Sequence, residues 1–164
     1  MLDKIKQLRE STGLGMMACK AALEETKGDI DKAIEILRKK GAIKAAERKE
    51  RTAGEGVIGM YLHSNNKIGA MVELNCETDF VARTSEFQAL AHDIAMQITA
   101  MNPKYIKAED VPEAEKDRAQ EYCLMLQPFI KDPARTIESL VKDTVAKVGE
   151  NIQVKRFSRF ELGK

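Results

Sequence analysis

Residues able to do covalent chemistry are few in this sequence. His63 and His92 are its two histidines, and neither has an acid at a spacing that would make a catalytic triad or a metal pair. Cys19, Cys76 and Cys123 are odd in number and far apart, with no Cys-x-x-Cys. They indicate neither a disulfide framework nor a zinc site, and each reads as a small buried apolar residue. The patterns of phosphate loops, dinucleotide folds, zinc proteases, serine hydrolases and calcium loops are absent. Gly13-Leu14-Gly15 has no strand before it, so it reads as a tight turn between helices rather than a nucleotide loop. The expectation is a protein with no catalytic residues, no metal site and no cofactor.

Two features resist a purely structural reading. Met16-Met17 follows the glycine turn at the start of a helix, and adjacent helical positions cannot both face one narrow core stripe. At least one of the two is expected at the surface, where a polarizable Met suits a partner groove; half-buried packing is the alternative. The second feature is Glu77-Thr78-Asp79-Phe80-Val81-Ala82-Arg83, between a predicted strand and a predicted helix. In one reading Thr78 or Asp79 caps a short helix and Phe80 enters the core. In the other an acid and an aromatic are rigidly presented to a partner, one wedging into an apolar slot while the other re-pairs nearby polar groups. Spacing alone favours the structural reading.

The elements that must position these residues follow from periodicity. Leu2, Ile5 and Leu8 recur at helical spacing behind an early acid, Asp3. A second helix is predicted over about 16–26, and a third begins after Asp29 with Ile30, Ala33, Ile34 and Leu37 on one face, stopping at Gly41. Arg38 to Arg51 holds seven basic residues against Glu47 and Glu50 and reads as an exposed linker. It lacks interleaved aromatics, so it is a poor platform for nucleic-acid bases. From Val57 the period becomes two. Ile68, Ala70, Val72, Leu74 and Cys76 alternate with Gly69, Met71, Glu73 and Asn75 after the turn cluster Ser64-Asn65-Asn66-Lys67, which predicts an antiparallel hairpin. Helices are predicted over 85–101, 113–126 and 136–148, an irregular stretch over 127–133 where two prolines interrupt, and a third strand over 152–162.

The fold class is therefore α+β: an N-terminal three-helix head (residues 1–41), a basic linker (42–54) and a single core (55–164) with a three-stranded antiparallel sheet and packed helices. The first strand is apolar on both sides, so one sheet face is spare and calls for self-association or a partner.

Length and charge agree with that division. At roughly 150 residues per domain, 164 residues make one ordinary domain or two small ones. The net charge of +1 argues against a protein held on nucleic acid or membrane by its overall field. It conceals an asymmetry of +2 over residues 1–40, +2 over 41–54 and −3 over 55–164. No apolar run of about 18 residues or more occurs and Met1 leads directly into Leu2-Asp3-Lys4-Ile5-Lys6, so the chain reads as cytoplasmic, with no membrane partner.

Several runs are recognisable as words: Leu8-Arg9 and Thr12-Gly13-Leu14-Gly15-Met16-Met17, then Cys19-Lys20, Ala22-Leu23, Gly28-Asp29-Ile30 and Gly41-Ala42-Ile43-Lys44-Ala45-Ala46. Val72-Glu73-Leu74-Asn75-Cys76-Glu77-Thr78-Asp79-Phe80-Val81-Ala82-Arg83 follows, with Gln127-Pro128-Phe129 and Gly149-Glu150-Asn151-Ile152 near the end. Together they resemble the translation elongation factor Ts family over nearly the whole chain, and the run from Asn75 to Arg83 is the most specific.

The resemblance implies a guanine-nucleotide exchange factor for elongation factor Tu that binds the GDP-bound form, dislodges Mg²⁺ and promotes GDP release so that GTP can bind. It implies a head like a ubiquitin-associated domain that docks through Arg9, Met16 and Met17, and insertion of Thr78, Asp79, Phe80 and Val81 at the Mg²⁺ site, Phe80 as wedge and Asp79 as holder. Exchange makes and breaks no covalent bond, so the protein is a catalyst but not an enzyme. Only one set of three strands is present, which resembles the short form of the family; short forms are expected to form homodimers by pairing two cores. The chain also runs from Glu121-Tyr122-Cys123 almost directly into Gln127, where family members carry additional helical residues. A binding module without exchange activity is the competing class, and an RNA-binding role resting on the basic linker is third.

Overall fold

The computed structural model describes residues 1–164, except for the side chains of Ala42, Lys44, Ala45 and Ala46. Its packing divides into two units, Met1–Arg51 with Lys142–Asn151, and Thr52–Val141 with Ile152–Lys164.

In the first unit, the helical recurrence of Ile5 and Leu8 produces α1 (Leu2–Thr12), which buries both. It ends at Gly13, whose φ of +68° is the left-handed conformation that glycine adopts without a Cβ penalty. α2 (Met16–Glu25) buries Cys19, Ala22 and Leu23. α3 (Ile30–Arg48) is capped by Asp29, whose Oδ1 accepts from the Lys32 amide at 3.1 Å, and buries Ala33 and Leu37 against the other two helices. The helix does not stop at Gly41. Glycine inside a helix costs only about 1 kcal/mol relative to alanine, too little to end a helix that is held beyond it, and Ala146 lies beside it as a neighbour, 3.6 Å from where a Cβ would stand, an ordinary contact. That neighbour belongs to residues 142–151: Arg48 Nη1 donates to the Val145 carbonyl at 3.4 Å, and the Asn151 amide donates to the carbonyls of Lys49 (3.2 Å) and Arg51 (2.7 Å). Half of the stretch expected as a linker is thus helical.

In the second unit, β1 (Glu55–Leu62) and β2 (Ile68–Cys76) form the expected hairpin, with Met60 opposite Met71. α4 (Asp79–Ala82) and α5 (Ser85–Met101) come next, followed by a one-turn α6 (Ala119–Tyr122), a short hairpin of β3 (Pro128–Phe129) and β4 (Asp132–Thr136), α7 (Ile137–Val148), whose residues from Lys142 on belong to the first unit, and β5 (Gln153–Glu161). β5 pairs with β2, giving a three-stranded antiparallel sheet in the order β1-β2-β5. This is the α+β class read from the sequence.

Strand alternation sorts β2 cleanly. Val72, Leu74 and Cys76 are buried on the face covered by α5, whose Phe87, Leu90, Ile94 and Ile98 are buried as well. Helix and sheet meet at Gly59, where a Cβ would lie 2.7 Å from the Ala91 carbonyl oxygen.

Two expectations are corrected here. Residues 113–126 are not one helix but a 3₁₀ segment (Glu113–Arg118), α6 and a second 3₁₀ turn (Leu124–Leu126). The amides of Leu124 and Met125 leave the helical ladder and donate to the carbonyls of Tyr105 (2.9 Å) and Ile106 (3.1 Å), so tertiary pairing replaces the local one. Residues 127–133 are not irregular: both prolines sit in a two-stranded ribbon, where edge positions need no inward N–H. Gln97 holds this ribbon to α5. Its Nε2 donates to the Pro128 carbonyl at 3.1 Å and its Oε1 accepts from the Ile130 amide at 3.0 Å.

Candidate functional site: a single-turn helix with an exposed phenylalanine

A helix of one turn has no stability of its own, because nucleation fixes several residues for one hydrogen bond. α4 exists because both ends are tied. At its start Thr78 is extended, its Oγ1 accepts from the Val81 amide at 3.4 Å, and its carbonyl accepts from Cys76 Sγ at 3.1 Å. At its end the Thr84 hydroxyl donates to the Val81 carbonyl at 2.7 Å and accepts from the Phe87 amide at 3.3 Å, so one residue closes α4 and caps α5. Val81 and Ala82 are buried beneath.

With these residues facing inward, Phe80 faces outward. It is 77% exposed, against the burial that a benzyl side chain ordinarily finds. Of the two readings of this run, the cap falls to Thr78, but the phenylalanine is not in the core. Asp79 occupies the first helical position, half-exposed, and its Oδ2 pairs with Arg83 Nη2 at 2.9 Å.

The residues expected to dock lie in the first unit. Met16 and Met17 are both exposed on the first turn of α2, Met17 at 75%. Arg9, on the last turn of α1, lines an open groove of about 420 Å³ with Lys6, Glu10 and Gly13. The structure therefore presents Arg9, Met16 and Met17 at the α1–α2 corner of one unit and Thr78–Val81 on one turn of the other.

Two cations of the basic stretch are paired rather than bare: Lys39 with Glu35 and Lys40 with Glu25, each at 2.9 Å. The hydrogen bond from Lys39 holds the Glu35 carboxyl below its usual range.

One grouping was not legible in the sequence. His63 and His92 meet at Tyr61, whose hydroxyl lies 3.3 Å from His63 Nδ1 and whose ring packs edge-on to His92 with centroids 5.6 Å apart. Only knowledge that α5 covers β1 would have found it. Among the described residues no group of three or more His, Cys, Asp or Glu side chains is placed to hold a metal ion, and no helix is long and apolar enough to cross a membrane.

Residues 4–121 match the family described as Elongation factor TS. The chain is 48% identical to the elongation factor Ts of Carboxydothermus hydrogenoformans over 189 residues, an alignment covering 97% of this chain and 87% of the relative. The chain belongs to the elongation factor Ts family. It is also 47% identical to the elongation factor Ts of Thermosipho melanesiensis, over 97% of this chain and 96% of that one, and 44% identical to that of Syntrophomonas wolfei, over 98% and 89%. The alignment with the first relative is longer than the chain, 189 against 164 residues, so that elongation factor Ts carries residues with no counterpart here.

Proposed function

We propose that this chain is a guanine-nucleotide exchange factor for elongation factor Tu. It engages the GDP-bound form, dislodges Mg²⁺ and promotes GDP release so that GTP enters. The observation that carries the reading is Phe80, held bare on a helix whose backbone is tied at both ends.

A Mg²⁺ ion demands near-octahedral oxygen ligands at about 2.0–2.1 Å, so small shifts of the segments that hold it weaken both metal and diphosphate. Phe80 supplies such a shift as an apolar wedge, and Asp79 re-pairs the polar groups it displaces. Thr78 and Val81 act from behind, one as cap and one as anchor. Residues 1–41 serve as a head resembling a ubiquitin-associated domain and dock through Arg9, Met16 and Met17, joined by the basic stretch of residues 42–54 to the core at 55–164. No covalent bond is made or broken, which makes the protein a catalyst and not an enzyme. Because coupling is reciprocal, nucleotide rebinding expels the factor by the same ratio by which the factor weakens nucleotide, and turnover follows.

The factor acts in the cytoplasm, touches neither membrane nor nucleic acid directly, and works as a homodimer of two cores joined through the spare sheet face. The residues that relatives carry in addition belong just before Gln127, where the chain turns sharply from Tyr122 into the β3–β4 ribbon.

Stopped-flow release of a fluorescent GDP from elongation factor Tu, with and without this chain at several Mg²⁺ concentrations, tests the reading. Strong acceleration that chelation of Mg²⁺ partly mimics is the expected result. Binding without acceleration would reduce the chain to a docking module.

A further inference from the structure

The ties that hold α4 act on its backbone. Thr78, Thr84 and the buried Val81 fix where the turn runs, yet none of them reaches the carboxylate of Asp79, for which an aspartate side chain has several staggered rotamers to choose from. An aspartate at the start of a helix also has a competing choice: folding back onto the amides of its own turn, as the capping Thr78 already does. The proposed exchange role needs neither outcome. It needs the carboxylate aimed outward beside Phe80.

Arg83 lies four residues on, on the same side of the turn, with Nη2 at 2.9 Å from Asp79 Oδ2. An acid four residues N-terminal to a base is the favourable order for such a pair. Arg83 closes α4 as well, its amide donating to the Asp79 carbonyl at 3.2 Å, so the residue that receives the carboxylate is itself fixed to the residue that carries it. Its side chain is 77% exposed, and a guanidinium has five N–H donors in a rigid fork.

We infer that Arg83 is a positioning residue: it holds the Asp79 carboxylate in the orientation that enters the partner together with Phe80. The inference rests on the exchange reading above. In water this pair adds little to stability, since exposed ion pairs are screened and pay side-chain entropy. Its value appears when the partner covers the site and water leaves, because the same geometry in a lower dielectric is far stronger and a charge-assisted hydrogen bond already made costs no reorganisation.

Exchange kinetics measured against the concentration of elongation factor Tu·GDP, with full-length wild type, Arg83→Ala, Arg83→Lys, Asp79→Asn and the Asp79→Asn/Arg83→Ala double variant, test it. Arg83→Ala is expected to lower kcat about tenfold with KM within about twofold, on the scale of one hydrogen bond to a charged group. Arg83→Lys recovers most of the loss, and all variants melt with the wild type. The deciding result is the double variant, which is expected to be no slower than Asp79→Asn alone, because Arg83 acts through that carboxylate. A wild-type kcat in Arg83→Ala, a defect confined to KM, or additive losses in the double variant would each overturn the inference. If Asp79→Asn slows exchange and Arg83→Ala does not, only the positioning role fails; if Asp79→Asn exchanges like wild type, the assignment of Asp79 fails with it.

Discussion

Phe80 and Val81 are neighbours in the chain and opposites in exposure, 77% against 9%. One residue step, about 100° around the helix axis, separates a side chain that faces solvent from one that anchors the turn, and substitutions should separate their roles. Phe80→Ala truncates a side chain that is mostly exposed, so it should leave the melting temperature nearly unchanged and nearly abolish exchange. Val81→Ala removes buried methyl groups and should cost about 1–2 kcal/mol of stability, with exchange reduced because α4 loses its anchor. Thermal unfolding measured beside GDP release distinguishes the two; equal loss of stability in both variants would contradict the geometry.

Gly59 sets how closely α5 approaches the sheet. A Cβ there would lie 2.7 Å from the Ala91 carbonyl oxygen and 2.8 Å from Ala91 Cβ, neither of which is a flexible side-chain end. Gly59→Ala should therefore destabilise the protein by about 1–3 kcal/mol, the usual cost of overpacking. The hydrogen bonds that tie α4 run through Thr78 and Thr84 and not through Gly59, so the variant should lower the exchange rate in proportion to the unfolded fraction and no further. Denaturant titration at the same temperature as the kinetics checks both parts.

What was legible in the sequence divides along local and non-local lines. The β1–β2 hairpin and α5 were readable because their periods of 2 and 3.6 are written in consecutive residues, and β5 because its strand formers follow Gly149. Gly41 does not stop the helix, and what holds the helix beyond it is distant in sequence, the hydrogen bonds of Arg48 to Val145 and of Asn151 to Lys49 and Arg51. The docking of residues 142–151 on the first unit has no local signal at all. At the site, Thr78 and Asp79 are both capping types, so spacing alone favours a capped helix with Phe80 in the core; the resemblance to a family points it outward, as the geometry does. The meeting of His63 and His92 at Tyr61 depends on a helix covering a strand and could not be read from either segment.

Asn151 is the residue through which the end of α3 is held. It is buried, and its amide donates to the carbonyls of Lys49 and Arg51. Asn151→Ala should cost about 1–3 kcal/mol, the range for a buried hydrogen-bonding group left without its partner. Asn151→Asp should cost more, because a carboxylate oxygen would face two carbonyl oxygens in place of the donor. Hydrogen exchange should show faster exchange of the amides around residues 48–51 in both variants, with the β1–β2 hairpin unchanged.

Acid should loosen the sheet through Glu73. The hydrogen bond from Arg156 Nε, at 2.7 Å, holds the Glu73 carboxyl below its usual value of 4.5, with a smaller contribution from Asn75. A carboxyl whose folded pKa is depressed binds its proton less readily than in the unfolded chain. The stability it contributes is therefore complete above pH 4.5 and is lost as pH falls through the lower folded value. Glu161 acts in the same direction, held by Lys164 and Arg159. Melting temperatures should fall on acidification below that point, and Glu73→Gln should flatten the slope without abolishing it. An unchanged slope in Glu73→Gln would mean that the Arg156 pair is lost to solvent.

The sheet face opposite α5 is a further exposed apolar surface of the second unit, and its register shows why it can receive another side chain. Gly69 lies between Leu62 on β1 and Phe160 on β5, and its missing side chain leaves an open groove of about 580 Å³, also lined by Met60, Met71 and Leu162. Phe160 is 71% exposed there. Two copies meeting face to face would each fill the other's groove, and a stable contact of this kind buries roughly 800 Å² per partner. Met60→Lys and Phe160→Lys put a charge on that face without touching the buried side, so they should leave the monomer folded and weaken self-association about 100-fold or more, the charge having no partner in an apolar contact. Sedimentation velocity over a concentration series decides it. A wild-type chain that stays monomeric throughout removes the homodimer from the proposed function, while dimerisation that survives both lysines moves the contact to another surface.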